Sequence, residues 1–130
     1  MSWLLDADVR VLRWLEEEET RCYTSAVVIA QLAYWVWTKE GRQRIALRAW
    51  LRELVDTLEG RIIGFNVAIA HVWAAQKAAL ERTGRRMPVE DSFIAATARR
   101  HGLTIVTGNE KHFRCPGLKV LNPFKESEET

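Results

Sequence analysis

The chain has no run of about 18 consecutive apolar residues, so no membrane-spanning helix is expected. Its opening, Met-Ser-Trp-Leu-Leu-Asp, lacks a basic head followed by a long apolar stretch. It therefore does not read as a secretory signal, and a cytoplasmic location is expected. Cysteine is scarce: Cys22 and Cys115 stand far apart, with no CxxC or HxxxH spacing near either. Two reduced thiols are expected, and a zinc site built on His112 and Cys115 has no ligand spacing behind it. Charge of one sign is also lacking. Nineteen basic residues against seventeen acidic leave a net +2, too little to mark a nucleic-acid binder by itself. The arginine pairs Arg85-Arg86 and Arg99-Arg100 read equally as solvated faces or as phosphate contacts. No internal repeat and no low-complexity segment appears.

What is present suits one globular domain. With 130 residues, 48% of them hydrophobic and 28% charged, the chain is large enough for a single apolar core without disulfides. One domain is expected over residues 1–124, with a charged, loose tail at 125–130. Short apolar runs alternate with helical patterns. Strands are expected at Trp3 to Leu5, Arg21 to Thr24, Arg61 to Phe65, Leu103 to Val106 and Leu118 to Leu121. Between them lie a first helix with Val11, Leu12, Trp14 and Leu15 on one face and a helix over 26–37 capped by Ser25. An amphipathic helix over 42–58 and a long helix from an Asn66 cap to about Arg82 follow. This alternation predicts a three-layer α/β/α sandwich with a central, mostly parallel sheet. Residues 26–37 are apolar on every face except for Gln31, which predicts a helix buried on all sides, part of it against a second subunit.

The stretch from Arg86 to Phe113 carries the most information. Pro88 opens a helix, Asp91 sits in its first turn, Gly102 ends it, and a short apolar strand leads into a polar loop with Thr107 and Asn109. In an open α/β sheet, ligands collect beyond the carboxyl ends of the strands. Asp6, directly after the first strand, belongs to the same edge. Carboxylates gathered there suit a hard cation such as magnesium, which takes oxygen ligands and acidifies a water for phosphodiester hydrolysis. Taken singly, Asp91 reads as an acid complementing the helix dipole, Asp6 as an N-cap and Asn109 as a turn residue.

Together the spacings resemble a known family. Pro88-Val89-x-Asp91-x-x-Ile94-Ala95-Ala96-Thr97-Ala98, His101-Gly102-Leu103-Thr104, Val106-Thr107-x-Asn109-x-x-x-Phe113 and Leu121-Asn122-Pro123 are similar to the signature of PIN domains, and within them of VapC/FitB-like toxins of toxin–antitoxin pairs. The resemblance implies a ribonuclease whose acidic side chains bind magnesium or manganese. It places the first acid at Asp6, in Leu4-Leu5-Asp6-Ala7-Asp8, and the third at Asp91. Asn109 matches the fourth position, with Thr107 two residues before it. Catalytic roles are thus implied for Asp6, Asp91 and Asn109, metal binding for Asp6 and Asp91, and supporting roles for Thr107 and Gln31. An RNA substrate, a VapB-like antitoxin partner and a homodimer are implied as well.

The chain departs from that pattern in three places. Gln31 stands where relatives carry a glutamate, and offers a carbonyl oxygen but no charge; it would bond Asp91 or a water. His112 stands where relatives often have an acid, and reads as a surface residue. The segment between the first strand and Val9 is shortened. Either a helix has been lost there, or residues 1–8 are the end of a missing loop and the first strand is absent. Glu90 is expected to point away from Asp91, and Asp8 to cap a helix. The alternative reading is a PIN-like scaffold with a decayed site, acting as a binding or assembly subunit.

Overall fold

A computed structural model describes residues 1–124; the charged tail expected at 125–130 lies outside the described residues. Five short parallel strands form one sheet: β1 (Trp3–Leu5), β2 (Cys22–Ser25), β3 (Ile62–Ile63), β4 (Thr104–Val106) and β5 (Val120–Leu121), in the order β3-β2-β1-β4-β5. Helices α1 (Trp14–Glu18), α2 (Ala26–Trp37), α3 (Gly41–Thr57), α4 (Val67–Arg82) and α5 (Val89–His101) complete the α/β/α sandwich. Every strand pairing is parallel. The expected elements are all present; β1 has the expected bounds and β2 the expected length, but β3, β4 and β5 are shorter than expected, most of all β3, an edge strand of two residues where five were expected.

β1 lies at the centre, which settles the ambiguity at the front of the chain: the first strand is present. Leu4 and Leu5 are both fully buried, as befits a strand covered on both faces. They join Val28, Leu32, Leu58, Ile94, Ala95, Ala98, Ile105, Val106 and Phe113 in one core. The alanines of α5 let that helix approach the sheet closely; Ala95, Ala96 and Ala98 have no exposed surface. The first helix is broken up, with single 3-10 turns at Val11–Arg13 and Glu19–Arg21 flanking a five-residue α1. The acidic run at its end, opposed to the macrodipole, accounts for this fraying.

The ends of the helices follow the sequence signals. Ser25 Oγ accepts from the Val27 N–H at the start of α2, and Asn66 Oδ1 accepts from the Ile69 N–H at the start of α4. Gly102 takes the left-handed conformation at φ 65° that stops α5. The burial expected of α2 is supplied by this chain on one side only. α2 buries Val28, Leu32 and Val36, but leaves Ala26, Ala30, Tyr34 and Trp37 in a stripe on the surface of this chain. Tyr34 and Trp37 are 64% and 63% exposed, although Arg44 and Arg48 lie over the Trp37 ring. The spacing of 26, 30, 34 and 37 is one helical face.

Candidate active site

The strand order reverses direction at β1. The chain builds β2 and β3 to one side, then crosses to place β4 and β5 on the other. The crevice beyond the carboxyl ends of β1 and β4 is therefore the switch point of the sheet. Register brings its first two residues together. Leu5 pairs with Val106, so Asp6 and Thr107 emerge side by side from adjacent strands. Asp6 N–H donates to Val106 O at 3.1 Å, and Thr107 N–H donates to Leu121 O at 3.0 Å. Thr107 Oγ1 then donates to Asp6 Oδ2 at 2.7 Å, while the Ala7 N–H donates to Asp6 Oδ1 at 2.8 Å. Thr107 has no exposed surface and Asp6 only 6%.

Asp91 comes from the first turn of α5. It too is buried, and His112 Nδ1 lies 3.0 Å from its Oδ2. Burial pushes the Asp6 carboxyl above the usual aspartate range, against the pull of the Thr107 and Ala7 hydrogen bonds. Asp91 is raised as well, by burial first and by the charge of Asp6 second; His112 opposes this and Glu90 adds to it. The charge of Asp6 thus reaches Asp91 and disfavours its ionisation. Asp8 behaves differently. Burial would raise it, but the Arg10 side chain and backbone N–H hold it below the usual range. Its backbone oxygen also accepts from Val11 and Leu12 N–H, so Asp8 does cap the first turn.

The remaining residues singled out from the sequence fall out differently. Asn109 is exposed and gives its backbone N–H to Thr107 Oγ1 at 2.9 Å, so the threonine hydroxyl links the loop to Asp6. Gln31 does not bond Asp91. Its Nε2 donates to Glu90 Oε2 at 2.8 Å, and its Oε1 is buried with no partner among the described residues. Glu90 accordingly turns toward α2. His112, read from sequence as a bystander, is the direct partner of Asp91. The clue was there, in that it occupies the position where relatives often carry an acid. His112 and Cys115 do not share a site: Cys115 Sγ accepts from Arg99 at 3.0 Å instead.

Could these residues hold a cation? Among the described residues no three His, Cys, Asp or Glu side chains group closely enough to hold a metal ion by themselves. The donors are two carboxylates, Asp6 and Asp91, together with neutral oxygens. The buried, unpartnered Gln31 Oε1 is a hard oxygen of that kind. That all-oxygen set fits one magnesium-like cation.

The PIN domain family matches residues 1–118. The chain belongs to the PIN domain family. Within it the similarity runs to VapC- and FitB-type toxins. The chain is 28% identical over 126 residues to the VapC ribonuclease Y4jK of Sinorhizobium fredii, covering 95% of this chain and 90% of the relative. It is 29% identical over 122 residues to the toxin FitB of Neisseria gonorrhoeae, covering 90% and 86%. The solved structure of FitAcB from N. gonorrhoeae superposes with a TM-score of 0.82 at 27% identity, covering 94% of this chain and 98% of that one. These PIN relatives bear out the expected fold, and the switch-point crevice is where its chemistry would sit.

Proposed function

We propose that this PIN domain is a metal-dependent ribonuclease of the VapC type. The observation that carries the reading is the pairing of two buried carboxylates, Asp6 and Asp91, at the switch point of the sheet. These side chains would hold a magnesium or manganese ion. When bound, such a cation acidifies a water and neutralises charge on the phosphate under attack. Thr107 fixes Asp6 Oδ2 by its 2.7 Å hydrogen bond, and the Ala7 N–H holds Oδ1. His112 does the same for one oxygen of Asp91. Asn109, exposed on the loop tied to Thr107, stands where an RNA strand would pass, and Gln31 supports from α2.

A cleft between α4 and α5 supports a surface for RNA. Ser92, the neighbour of Asp91, lines this cleft of about 380 Å³ with Trp73, Lys77, Arg85 and Arg86. Basic groups around an aromatic ring suit a single strand, with phosphates held by charge and a base by stacking. This gives the Arg85-Arg86 pair its phosphate reading. Likeness to a toxin of this class also supports a VapB-like antitoxin as partner. The exposed stripe of α2, Ala26, Ala30, Tyr34 and Trp37, supports a homodimer.

The test is a calorimetric titration with manganese beside an assay of RNA cleavage. Saturable binding and cleavage, both lost in Asp91→Asn and cleavage abolished by chelation, support the nuclease. Absence of binding in the native protein would instead favour the assembly subunit with a decayed site.

A further inference from the structure

Three segments of the chain converge at the carboxyl edge of the sheet, and their meeting point is the guanidinium of Arg10. Arg10 follows β1, Gly108 follows β4 and Phe124 follows β5. Arg10 Nε and Nη2 donate to Asp8 Oδ1 and Oδ2 at 3.2 and 2.9 Å, and the guanidinium lies over the Phe124 ring, 4.3 Å from its centroid. Phe124 is itself held, its N–H donating to Asn122 Oδ1 at 3.0 Å. A Cβ at position 108 would lie 2.8 Å from both Arg10 Nη2 and Asp8 Oδ2, and 3.4 Å from the ring. The ion pair thus rests directly on the backbone between Thr107, whose hydroxyl holds Asp6, and Asn109. We infer that Arg10 is a phosphate anchor at the rim of the crevice, taking a phosphate group of the bound RNA strand. The inference rests on the nuclease reading above.

The guanidinium is held without being used up. Its N–H donors form a rigid fork. Nε and Nη2 serve Asp8, while the Nη1 edge meets no acceptor among the described residues, and the side chain is 62% exposed. A free edge of a planar fork suits two oxygens of one phosphate. An arginine in open solvent loses rotamer freedom when it binds, and here Asp8 and Phe124 have already removed much of that freedom. Charge points the same way. A phosphate that approaches Asp6, Asp8 and Asp91 meets carboxylates of its own sign, and a cation at the rim offsets that repulsion. Gly108 adds a separate observation. Its φ is not in the left-handed region, so its backbone does not call for glycine; the closeness of the ion pair does. The competing account makes Arg10 and Asp8 an ordinary surface ion pair, which contributes little. That account explains the bond to Asp8, but not the ring beneath the guanidinium or the missing side chain at 108.

The two accounts separate in the binding of fluorescein-labelled oligouridine and oligoadenosine of equal length. Binding is read by anisotropy with EDTA present over a range of salt, with thermal melts of each variant as a check on folding. Arg10→Gln is expected to weaken both RNAs alike by several-fold, because a phosphate contact carries no sequence, and to lower the slope of log affinity against log salt by about 0.7. Arg10→Lys keeps the charge without the fork, and is expected to keep the slope while binding less tightly than the native protein. Arg21 is the control. It makes a comparable exposed pair with Glu18 at 3.0 Å but precedes β2, at the opposite edge of the parallel sheet. Arg21→Gln is expected to bind as the native protein does. Native affinity and slope in Arg10→Gln, or equal losses in Arg10→Gln and Arg21→Gln, overturn the anchor, and the nuclease reading stands if the native protein still cleaves RNA with manganese. Native affinity in Arg10→Lys overturns the role of the fork. Cleavage by the native protein without measurable binding at the lowest salt overturns the anchor alone. Neither binding nor cleavage by the native protein overturns both the inference and the reading beneath it.

Discussion

The hydroxyl of Thr107 is the most isolated test of how the crevice is built. Thr107→Val keeps the shape of a fully buried side chain and removes one group, the donor to Asp6 Oδ2 at 2.7 Å. The same hydroxyl accepts from the Asn109 N–H, but Asn109 is exposed and water replaces that bond at little cost. A hydrogen bond to a charged group contributes about 1.5–3 kcal/mol, against about 1 kcal/mol for a neutral one. The substitution should therefore cost about 2 kcal/mol at pH 7, or a fall of roughly 8 °C in Tm for a domain of this size. The cost should also depend on pH. Burial raises the Asp6 carboxyl, so on acidification Asp6 takes its proton before an ordinary aspartate does, and the bond it accepts becomes a neutral one. The difference between native and variant should shrink toward about 1 kcal/mol near pH 4. Urea unfolding of both proteins at the two pH values measures this. Thr97→Val is the control, because buried Thr97 donates to the Phe93 carbonyl and touches no carboxylate; its cost should not change with pH. A Thr107→Val cost below about 0.5 kcal/mol at pH 7, or one that is equal at both pH values, refutes the coupling between the two strand ends.

Three other outcomes are expected. Asp6 and Asp91 both have raised carboxyls in the fold; the folded state binds more protons than the unfolded one between the ordinary aspartate pKa, about 3.9, and the raised values. These two groups thus subtract stability progressively as pH rises through that window, so the metal-free protein should melt higher in mild acid than at neutral pH, and saturating manganese should flatten the trend; an Asp91→Asn protein that keeps the full slope would contradict this. Ser25→Ala removes the acceptor for the Val27 N–H and should cost about 1 kcal/mol by chemical unfolding, with Ser25→Asp recovering most of it. Tyr34→Asp places a charge in the middle of the exposed α2 stripe and should leave folding intact while shifting sedimentation toward the monomer, and a native protein that is monomeric at all concentrations would remove the dimer.

Much of the fold could be read from single residues because the signals were local. Pro88 and Gly102 bracket α5, Ser25 and Asn66 cap α2 and α4, and each acts within one turn of its own backbone. Leu4 and Leu5, consecutive and apolar, supported a strand, but whether it was the first strand of the sheet stayed open. The candidate site was legible to the extent that it depends on strand ends: Asp6 and Thr107 meet because Leu5 and Val106 are in register, and both follow apolar runs. What escaped was direction. Whether Gln31 reaches Asp91 or Glu90 depends on how α2 crosses α5, which no pattern within either helix encodes. His112 escaped for a like reason, since its loop folds back over the start of α5. The apolar character of residues 26–37 was plain, but how much of it this chain would cover was not, because that depends on where α3 lies along it.

The position of β1 has a consequence for the order of events during synthesis. It is made first, yet it needs neighbours on both sides, and the second of these, β4, is encoded about a hundred residues later: Asp6 and Thr107 are separated by 101 positions. Until the last quarter of the chain has left the ribosome, β1 is an open edge, able to pair with the wrong partner. The crevice does not exist in that interval, for Asp91, Thr107 and His112 are all still to come or unplaced. A chain that lacks β4 therefore has no crevice but an open strand edge. The completed site appears only when β4 and the loop after it have joined β1, all at once.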